Sequence, residues 1–473
     1  MTLSKSSFLL YLDSPLHLWA QAHGLLDSKS FSTYEQLLAK QGYEVENLAK
    51  EYLHQRLLLR YPEGSTVDFQ RTVRDGRYEA RLDGLVYDAG SKTYDLYEIK
   101  SSTKVEKGHK YDVTFQYLVA KASLPLRQVY LLHINPEFVR EGELNLQEFF
   151  VAEEVDAVVN KLEDEVFALR CEALQTLDQA EPPRDEHCHK LKTCPCLALC
   201  HPELPEYSIY DLSWWKAGQY QRLAARGCRE LGEVKASEEL TAKQRLQLRS
   251  YAERRAIIDQ AGIKQRLAEL KFPLYFLDYE TFNPAIPVHD GYKAYQHITF
   301  QFSVHVLERA EDQKLKHFEF IATGQEEPSR QLTEALLGVI GDEGSVLVWN
   351  KQFECGRNEE LARLQPWAAK RLLAINERVF DLMELFSQGL YVDYRFRGSA
   401  SIKKVLPILC PELSYAGLAI AEGATAMSKW FEMVSGQLSA KESAETQKNL
   451  LRYCELDTRA MVEIWRRVRQ QLT

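Results

Sequence analysis

No apolar run in the sequence approaches the roughly 20 residues that a membrane-spanning helix needs, so a membrane protein is not expected. The N-terminus offers only Phe8-Leu9-Leu10-Tyr11-Leu12 before Asp13 interrupts it, too short for a secretory signal, and the reading is cytoplasmic. There is no glycine-rich Walker loop and no dinucleotide fingerprint, which argues against a helicase motor within these residues. Internal repeats and low-complexity tracts are missing as well. Positive charge is not in excess: 59 basic against 68 acidic residues leave a net charge of -9. That balance argues against a surface that coats duplex broadly, although a local basic groove or metal ions could still hold phosphates. Cysteines number nine, an odd count in a long chain, so a disulfide framework is not expected.

What is present is material for two to four soluble domains. The chain has 473 residues, 45% hydrophobic and 27% charged. Its most informative stretch is Phe276-Leu277-Asp278-Tyr279-Glu280-Thr281, a short apolar strand ending in acid. Side chains alternate along a strand, so Asp278 and Glu280 share one face while Leu277 and Tyr279 share the other. Two carboxylates on one face repel unless a cation lies between them, and one or two divalent ions of the Mg or Mn type would serve. Taken alone, such a pair describes a solvated strand end better than a metal site. Downstream, Val346-Leu347-Val348 runs into Asn350, Phe353 and a third acid, Glu354. Near the C-terminus, Asn449–Trp465 has helical spacing and places Tyr453 and Asp457, four apart, on one face.

The order strand Asp-x-Glu, middle Asn-x-x-Phe-acid, terminal Tyr-x-x-x-Asp resembles the DnaQ-type, DEDD-class exonucleases of RNase H-like fold, over about the last two hundred residues. The middle acid is usually Asp, and here it is Glu354, whose longer arm still reaches a metal. The resemblance implies two-metal phosphodiester hydrolysis. Asp278 would bridge two Mg or Mn ions about 3.5–4 Å apart, with Glu280, Asp457 and Glu354 around them. Tyr453 would orient the attacking water, and the direction would be 3′ to 5′ from a single-stranded end. In related enzymes an acid such as Asp381 and a helix start such as Ser399-Ala400-Ser401-Ile402-Lys403 lie beside the site, although Ser401 alone reads equally well as an N-cap.

A second acidic constellation lies upstream. Ala80–Tyr87 and Tyr94–Lys100 read as two strands about a turn at Asp88–Lys92. Alternation puts Glu98 and Lys100 on one face, and Asp83 with Glu98 could hold a metal while Lys100 stabilises developing charge. A surface hairpin with an ion pair is the competing reading of those residues. A helix bearing Asp112, Gln116 and Tyr117 follows. With Ser14-Pro15-Leu16-His17-Leu18-Trp19 and Gly42-x-x-x-Glu46, the series resembles the RecB group of PD-(D/E)XK nucleases, including CRISPR adaptation nucleases that carry an iron-sulfur cluster. The resemblance implies a second nuclease site of Asp83, Glu98, Lys100 and Gln116, with one or two metals and an early ligand at Glu46.

Cys188, Cys194, Cys196 and Cys200 crowd into one short stretch, and thiolates this close favour a soft metal centre. In the related nucleases a distant cysteine just before the Pro-x-x-Leu-Trp stretch completes the cluster, and this chain has Ser14 there. Either Cys196 or a neighbouring histidine then supplies the fourth ligand, or the site holds zinc, or the cluster is degraded. The expectation is a structural 4Fe-4S cluster, with Zn2+ as the alternative. Beyond it, Leu223–Leu231 suggests a helix, a glycine turn and a second helix start, and Leu240-Thr241 opens a basic helix with Lys243, Arg245, Arg249, Arg254 and Arg255. This resembles a helix-hairpin-helix segment that could touch phosphate. A solvated linker is the alternative.

The expected fold class is α/β: a PD-(D/E)XK restriction-endonuclease-like domain (1–180), a cysteine-rich knot (181–205), a helical linker (206–270) and an RNase H-like exonuclease domain (271–473). That order resembles a largely uncharacterised bacterial family fusing a RecB-like nuclease to a DnaQ-like exonuclease. Expected partners are DNA and/or RNA, through single-stranded ends, and the alternative is a nucleic-acid-binding scaffold with inactive nuclease folds.

Overall fold

The alternation read in the two hairpin strands is realised in a sheet whose middle strand is buried along most of its length. The structure is a computed structural model describing residues 1–26, 33–183, 194–202, 204–213, 217–235 and 239–472. The chain is mixed α/β and forms two compact units, Met1–Pro202 with Asn283–Gln296, and Glu203–Phe282 with His297–Thr473.

In the first unit the strands are β1 (Leu3–Ser4), β2 (Thr66–Asp75), β3 (Tyr78–Asp88), β4 (Thr93–Lys100), β5 (Leu126–Ile134) and β6 (Phe150–Glu154). β2, β3 and β4 form an antiparallel meander, β5 runs parallel to β4, β6 returns antiparallel, and β1 adds parallel to the start of β3. The helix Lys107–Ala120 makes the crossover from β4 to β5. Leu96 of β4 packs on one face with Phe115 of that helix and Val166 of the helix Asp156–Asp178. Tyr97 packs on the other with Val45, Ala49 and Leu53 of the long helix Thr33–Arg60. Glu98 and Lys100 therefore fall on the Leu96 side, where the crossover helix supplies Asp112 and Gln116.

The segment 283–296 joins this unit through backbone and side-chain bonds. Ala285 N donates to Gln41 Oε1 at 3.0 Å, Arg140 Nη1 to Pro287 O at 2.8 Å, and Tyr295 Oη to Ser101 O at 2.6 Å.

The second unit is built on β8 (Leu274–Phe282), β9 (Ile298–Leu307), β10 (Lys316–Ile321), β11 (Ser345–Val348) and β12 (Val379–Asp381), after a short β7 (Ile257–Ile258) that pairs with β13 (Tyr391–Val392). The sheet order is β10-β9-β8-β11-β12, antiparallel through β10, β9 and β8, parallel through β8, β11 and β12. β8 is thus the central strand. Phe276 packs against Trp465 and Met461 of the C-terminal helix Ala440–Gln470, whereas Leu277 and Tyr279 pack with Leu336 and Leu361 of the helices Ser329–Val339 and Lys351–Leu364. Asp278 and Glu280 follow Phe276 onto the face of the C-terminal helix. That helix begins at Ala440 rather than Asn449, because Ser439 and Glu442 form a reciprocal capping box.

The stretch before β7 departs from expectation. Gly227 does turn at φ +80°, but after it comes only the three-residue 3-10 helix Leu231–Glu233, with Glu233 Oε2 accepting from the backbone N–H groups of Arg229 and Glu230. The helix Ala217–Ala225 and the turn at Gly227 are thus present as expected, but the second start is a 3-10 turn and not a helix. The basic helix Ala242–Glu253 opens at Thr241 as expected and stops before Arg254, which is left-handed. No helix among the described residues is long and apolar enough to cross a membrane.

Gly344, in the turn entering β11, has φ +87°, and a Cβ there would lie 2.2 Å from Pro273 O, the carbonyl that receives Ser345 N. Gly344→Ala is expected to cost more than about 2 kcal/mol from backbone strain and overlap. A urea midpoint equal to wild type would show that the turn relaxes.

Candidate active site

Four carboxylates converge in the second unit from three elements. Asp278 and Glu280 come from β8, Glu354 from the first turn of the helix Lys351–Leu364, and Asp457 from the C-terminal helix. Glu280, Glu354 and Asp457 are 8%, 3% and 7% exposed, so water does little to separate their charges. Burial, then the neighbouring Asp457 charge, pushes Asp278 well above the usual carboxylate range. Glu280 is raised by burial, Asp278 and Asp457, and Glu354 by burial, Asp278 and Glu280. Burial also lifts Asp457, to about 6, against a hydrogen bond from Tyr415.

The counter-charges are few. Lys403 lowers the carboxyls of β8 and of Asp457, but its Nζ donates to Ala421 O at 2.8 Å and lies 5.7 and 5.6 Å from the ring centres of Tyr415 and Tyr453. Arg357 acts on Glu354 while paired with Glu360 at 2.9 Å. Ligand atoms of Asp278, Glu280 and Cys454 lie within 4.8 Å of one another. Glu354 Oε2 is buried and has no hydrogen-bond partner among the described residues. An acid-rich donor set with an orphaned buried oxygen fits hard divalent cations of the Mg or Mn type.

Tyr415 Oη donates to Asp457 Oδ1 at 2.5 Å, and burial pushes the phenols of Tyr415 and Tyr453 far above their usual range. Both remain neutral donors at neutral pH. Cys454 Sγ lies 3.6 Å from Asp278 Oδ2, and its thiol is held protonated by burial and by the Asp278 charge. Asp381 serves the backbone instead, accepting from Lys351 N and Met383 N. Ser401 occupies the N-cap position of the helix Ile402–Leu409 without a side-chain cap bond.

The first unit assembles Asp83, Glu98, Lys100 and Gln116 as a single network. Lys100 Nζ donates to Glu98 Oε1 and Asp112 Oδ2, both at 2.6 Å, and Gln116 Nε2 donates to Glu98 Oε2 at 2.6 Å and Asp112 Oδ1 at 2.9 Å. Lys5 adds a second ammonium, 3.0 Å from Glu98 Oε1 and 3.9 Å from Asp83 Oδ1. Burial opposes ionisation of Glu98, yet Lys100 and Lys5 hold its carboxyl well below the usual range. Asp83, raised by burial and by Glu98, reaches about 7, and Asp112, for the same reasons, about 6. Glu46 is tied in from the long helix: Gln70 Nε2 donates to Glu46 Oε1 at 2.9 Å and reaches Asp83 Oδ1 at 3.5 Å, while Lys50 pairs with Glu46 at 2.8 Å. Gln70 stands at φ +54° inside β2, a strained conformation for a non-glycine residue that marks functional sites more often than ordinary strands.

Of the four cysteines singled out, Cys188 lies outside the described residues. Cys194, Cys196 and Cys200 come together, and His17 from the helix Pro15–Ala22 joins them, with all four ligand atoms within 4.8 Å of one another.

Sequence reasoning passed over Tyr415, Cys454, Lys5 and Gln70, and named His17 only as part of a motif. Cys454 follows Tyr453 in the helix, and a signal for it existed in the small apolar residue facing a β8 acid. The others meet their partners only through tertiary packing.

Residues 275–401 match the family model described as "Domain of unknown function (DUF2779)", a span that holds Asp278, Glu280 and Glu354. The chain is similar to the "Uncharacterized protein MG366 homolog" of Mycoplasma pneumoniae, 30% identical over 236 residues, covering 46% of this chain and 35% of that protein. It is also similar to the "Uncharacterized protein UU173" of Ureaplasma parvum, 27% identical, covering 45% of this chain and 34% of that protein. The chain thus spans about a third of the length of these relatives. Among solved structures, "Crystal structure of SSO0001" aligns with 43% of this chain and 87% of its own, at 16% identity and a TM-score of 0.22.

The raised carboxyls predict a pH dependence. Their folded values exceed the unfolded ones, so the protonated forms stabilise the fold at low pH and that contribution is lost as pH rises through about 6 and above. In EDTA, melting of this unit is expected to fall from pH 5 to pH 8. Asp278→Asn, which removes a buried charge, should raise the melting temperature at pH 8, at about 2–4 °C per kcal/mol, and weaken the stabilisation by added Mn2+. A lower melting temperature for Asp278→Asn would contradict the charge assignment.

Proposed function

We propose that the second unit is a metal-dependent nuclease site that hydrolyses phosphodiester bonds, of RNase H-like fold and DnaQ-like type. The observation that carries this reading is the convergence of Asp278, Glu280, Glu354 and Asp457, three of them buried and Asp278 half-buried, against the partly engaged cations Lys403 and Arg357. The sheet order, with the acid-bearing β8 in the middle and parallel to β11, supports it. So does the order of the motifs, which matches the DEDD-class pattern with Tyr453 one turn before Asp457.

Asp278, Glu280 and Asp457, with Glu354 beside them, are the residues that would hold Mg2+ or Mn2+. A bound divalent ion would polarise the phosphodiester and lower the pKa of an attacking water. The chain's own groups do the rest. Tyr453, held neutral, orients the water through its phenol. Tyr415 fixes the rotamer of Asp457 through a 2.5 Å hydrogen bond and acts as a positioning residue. Lys403 supplies positive charge where negative charge develops on phosphate. The substrate is a single-stranded end of DNA or RNA, degraded 3′ to 5′.

A second nuclease site in the first unit, of PD-(D/E)XK type, is supported by the Asp83, Glu98, Lys100 and Gln116 network. One observation favours a reading in which only the C-terminal site cuts: the Lys5 ammonium sits between Glu98 and Asp83, where a metal would bind. The first unit would then guide the strand.

End-labelled single-stranded DNA and RNA with Mn2+ or EDTA test both readings. Asp278→Ala or Asp457→Ala is expected to lower the cleavage rate by about 10²–10⁴-fold at unchanged fold, and Tyr415→Phe by about 10–100-fold. Glu98→Ala should leave the ladder intact if the first unit only guides, and should remove a separate, second set of products if it cuts. No metal-dependent cleavage of either polymer, with binding retained, would favour a scaffold that binds nucleic acid without cutting it.

A further inference from the structure

We infer that His17, Cys194, Cys196 and Cys200 bind one zinc ion. The inference is independent of the nuclease reading. It departs from the four-iron cluster that resemblance implies, and the departure rests on geometry and on an added ligand.

The distances fit a single small ion. Cys194 Sγ lies 3.5 Å from Cys200 Sγ, Cys196 Sγ lies 3.5 Å from Cys200 Sγ, and His17 Nε2 lies 3.6 Å from Cys194 Sγ. A tetrahedral zinc with Zn–S of about 2.3 Å and Zn–N of about 2.0 Å separates its ligand atoms by about 3.5–3.8 Å. The observed edges are of that size. A cubane instead takes each cysteine on a separate iron, at separate corners, and sulfurs that far apart cannot approach to 3.5 Å.

The donor set agrees. Three thiolates and one imidazole form a Cys3His set, a common structural zinc combination. Cys194, Cys196 and His17 are essentially buried, and Ala20, Leu26, Leu197 and Leu199 pack around the sulfurs, a dry shell suited to a closed structural site. Three sulfurs this close in such a shell become good ligands for a soft cation once deprotonated as it binds.

His17 is presented by local structure. Ser14 caps the helix Pro15–Ala22, its side chain accepting from Leu16 N at 3.2 Å, and Trp19 Nε1 donates to Gln179 O at 3.0 Å. Ser14 therefore does the work of a helix cap, and the ligand comes from the first turn that it caps. Cys194–Cys200 reaches it through the short helix Leu197–Cys200.

The test is the metal content of the full chain, produced with both iron and zinc supplied and purified without oxygen. One zinc per chain and no visible charge-transfer absorption are expected. His17→Ala should weaken zinc binding by more than the roughly 10–100-fold that losing an outer-shell partner costs, read by competition with a chromogenic chelator, and His17→Cys should restore it. Cobalt substitution should give a tetrahedral spectrum whose sulfur-to-metal band grows in His17→Cys. Because His17→Ala could unfold the region, His17→Cys provides the folded comparison. Near-stoichiometric four-iron content, a single iron in place of zinc, no metal in folded protein, or zinc affinity unchanged in folded His17→Ala would each overturn the inference.

Discussion

Repulsion among carboxylates fixed on a central strand governs the second unit. β8 has a neighbour on each side and a helical layer on each face, so Glu280 is held among other side chains while Asp278 stays half-buried beside it. Alternation that buries Phe276 against Trp465 also commits both acids to the face of the C-terminal helix, which brings Asp457 to them. The same packing that stabilises the unit therefore creates its least comfortable contact. Tyr415, the Cys454 thiol and Lys403 relieve part of it through hydrogen bonds and charge. The remainder is met by protons at low pH, and on the proposed reading a bound divalent ion would take their place at high pH.

The first unit resolves a similar problem from within. Glu98 is as deeply buried as any acid in the molecule, yet Lys100 and Lys5 flank it, and Gln116 takes its second oxygen. Its carboxyl stays ionised because the counter-charges are covalently supplied, one from its own strand and one from the N-terminal helix Lys5–Asp13. A divalent ion entering here must displace an ammonium, whereas in the second unit it meets acids in excess. Two acidic clusters of similar composition thus differ in what they ask of the solution.

The parts of this arrangement that were legible in the sequence are those set by local periodicity. A period of two paired Asp278 with Glu280 and Glu98 with Lys100, and a spacing of four paired Tyr453 with Asp457. Each was readable because one strand or one helix carries both residues. Partners that arrive from other elements left no such trace. Tyr415 lies in an irregular segment after the helix Ile402–Leu409, Lys5 precedes Glu98 by most of a hundred residues, and Gln70 reaches Asp83 only because its backbone turns left-handed in mid-strand. The turn at Gly227 shows the opposite failure. Its glycine was a sound signal for a reversal, but the structure after it was decided by Glu233 capping its own neighbours, a side-chain choice that apolar spacing does not report.

On the zinc reading proposed above, the cysteine cluster takes its fourth ligand from the helix that Ser14 caps. In the resembling nucleases a cysteine precedes the Pro-x-x-Leu-Trp stretch, and Ser14 stands there in this chain. A serine is a poor ligand for a soft metal but a strong N-cap, and as a cap it holds the helix on which His17 sits three residues later. On that reading the imidazole comes from the first turn of the capped helix, where His17 Nε2 lies 3.6 Å from Cys194 Sγ. An imidazole is a harder donor than a thiolate, and on the proposed reading a Cys3His set suits a single borderline ion such as zinc.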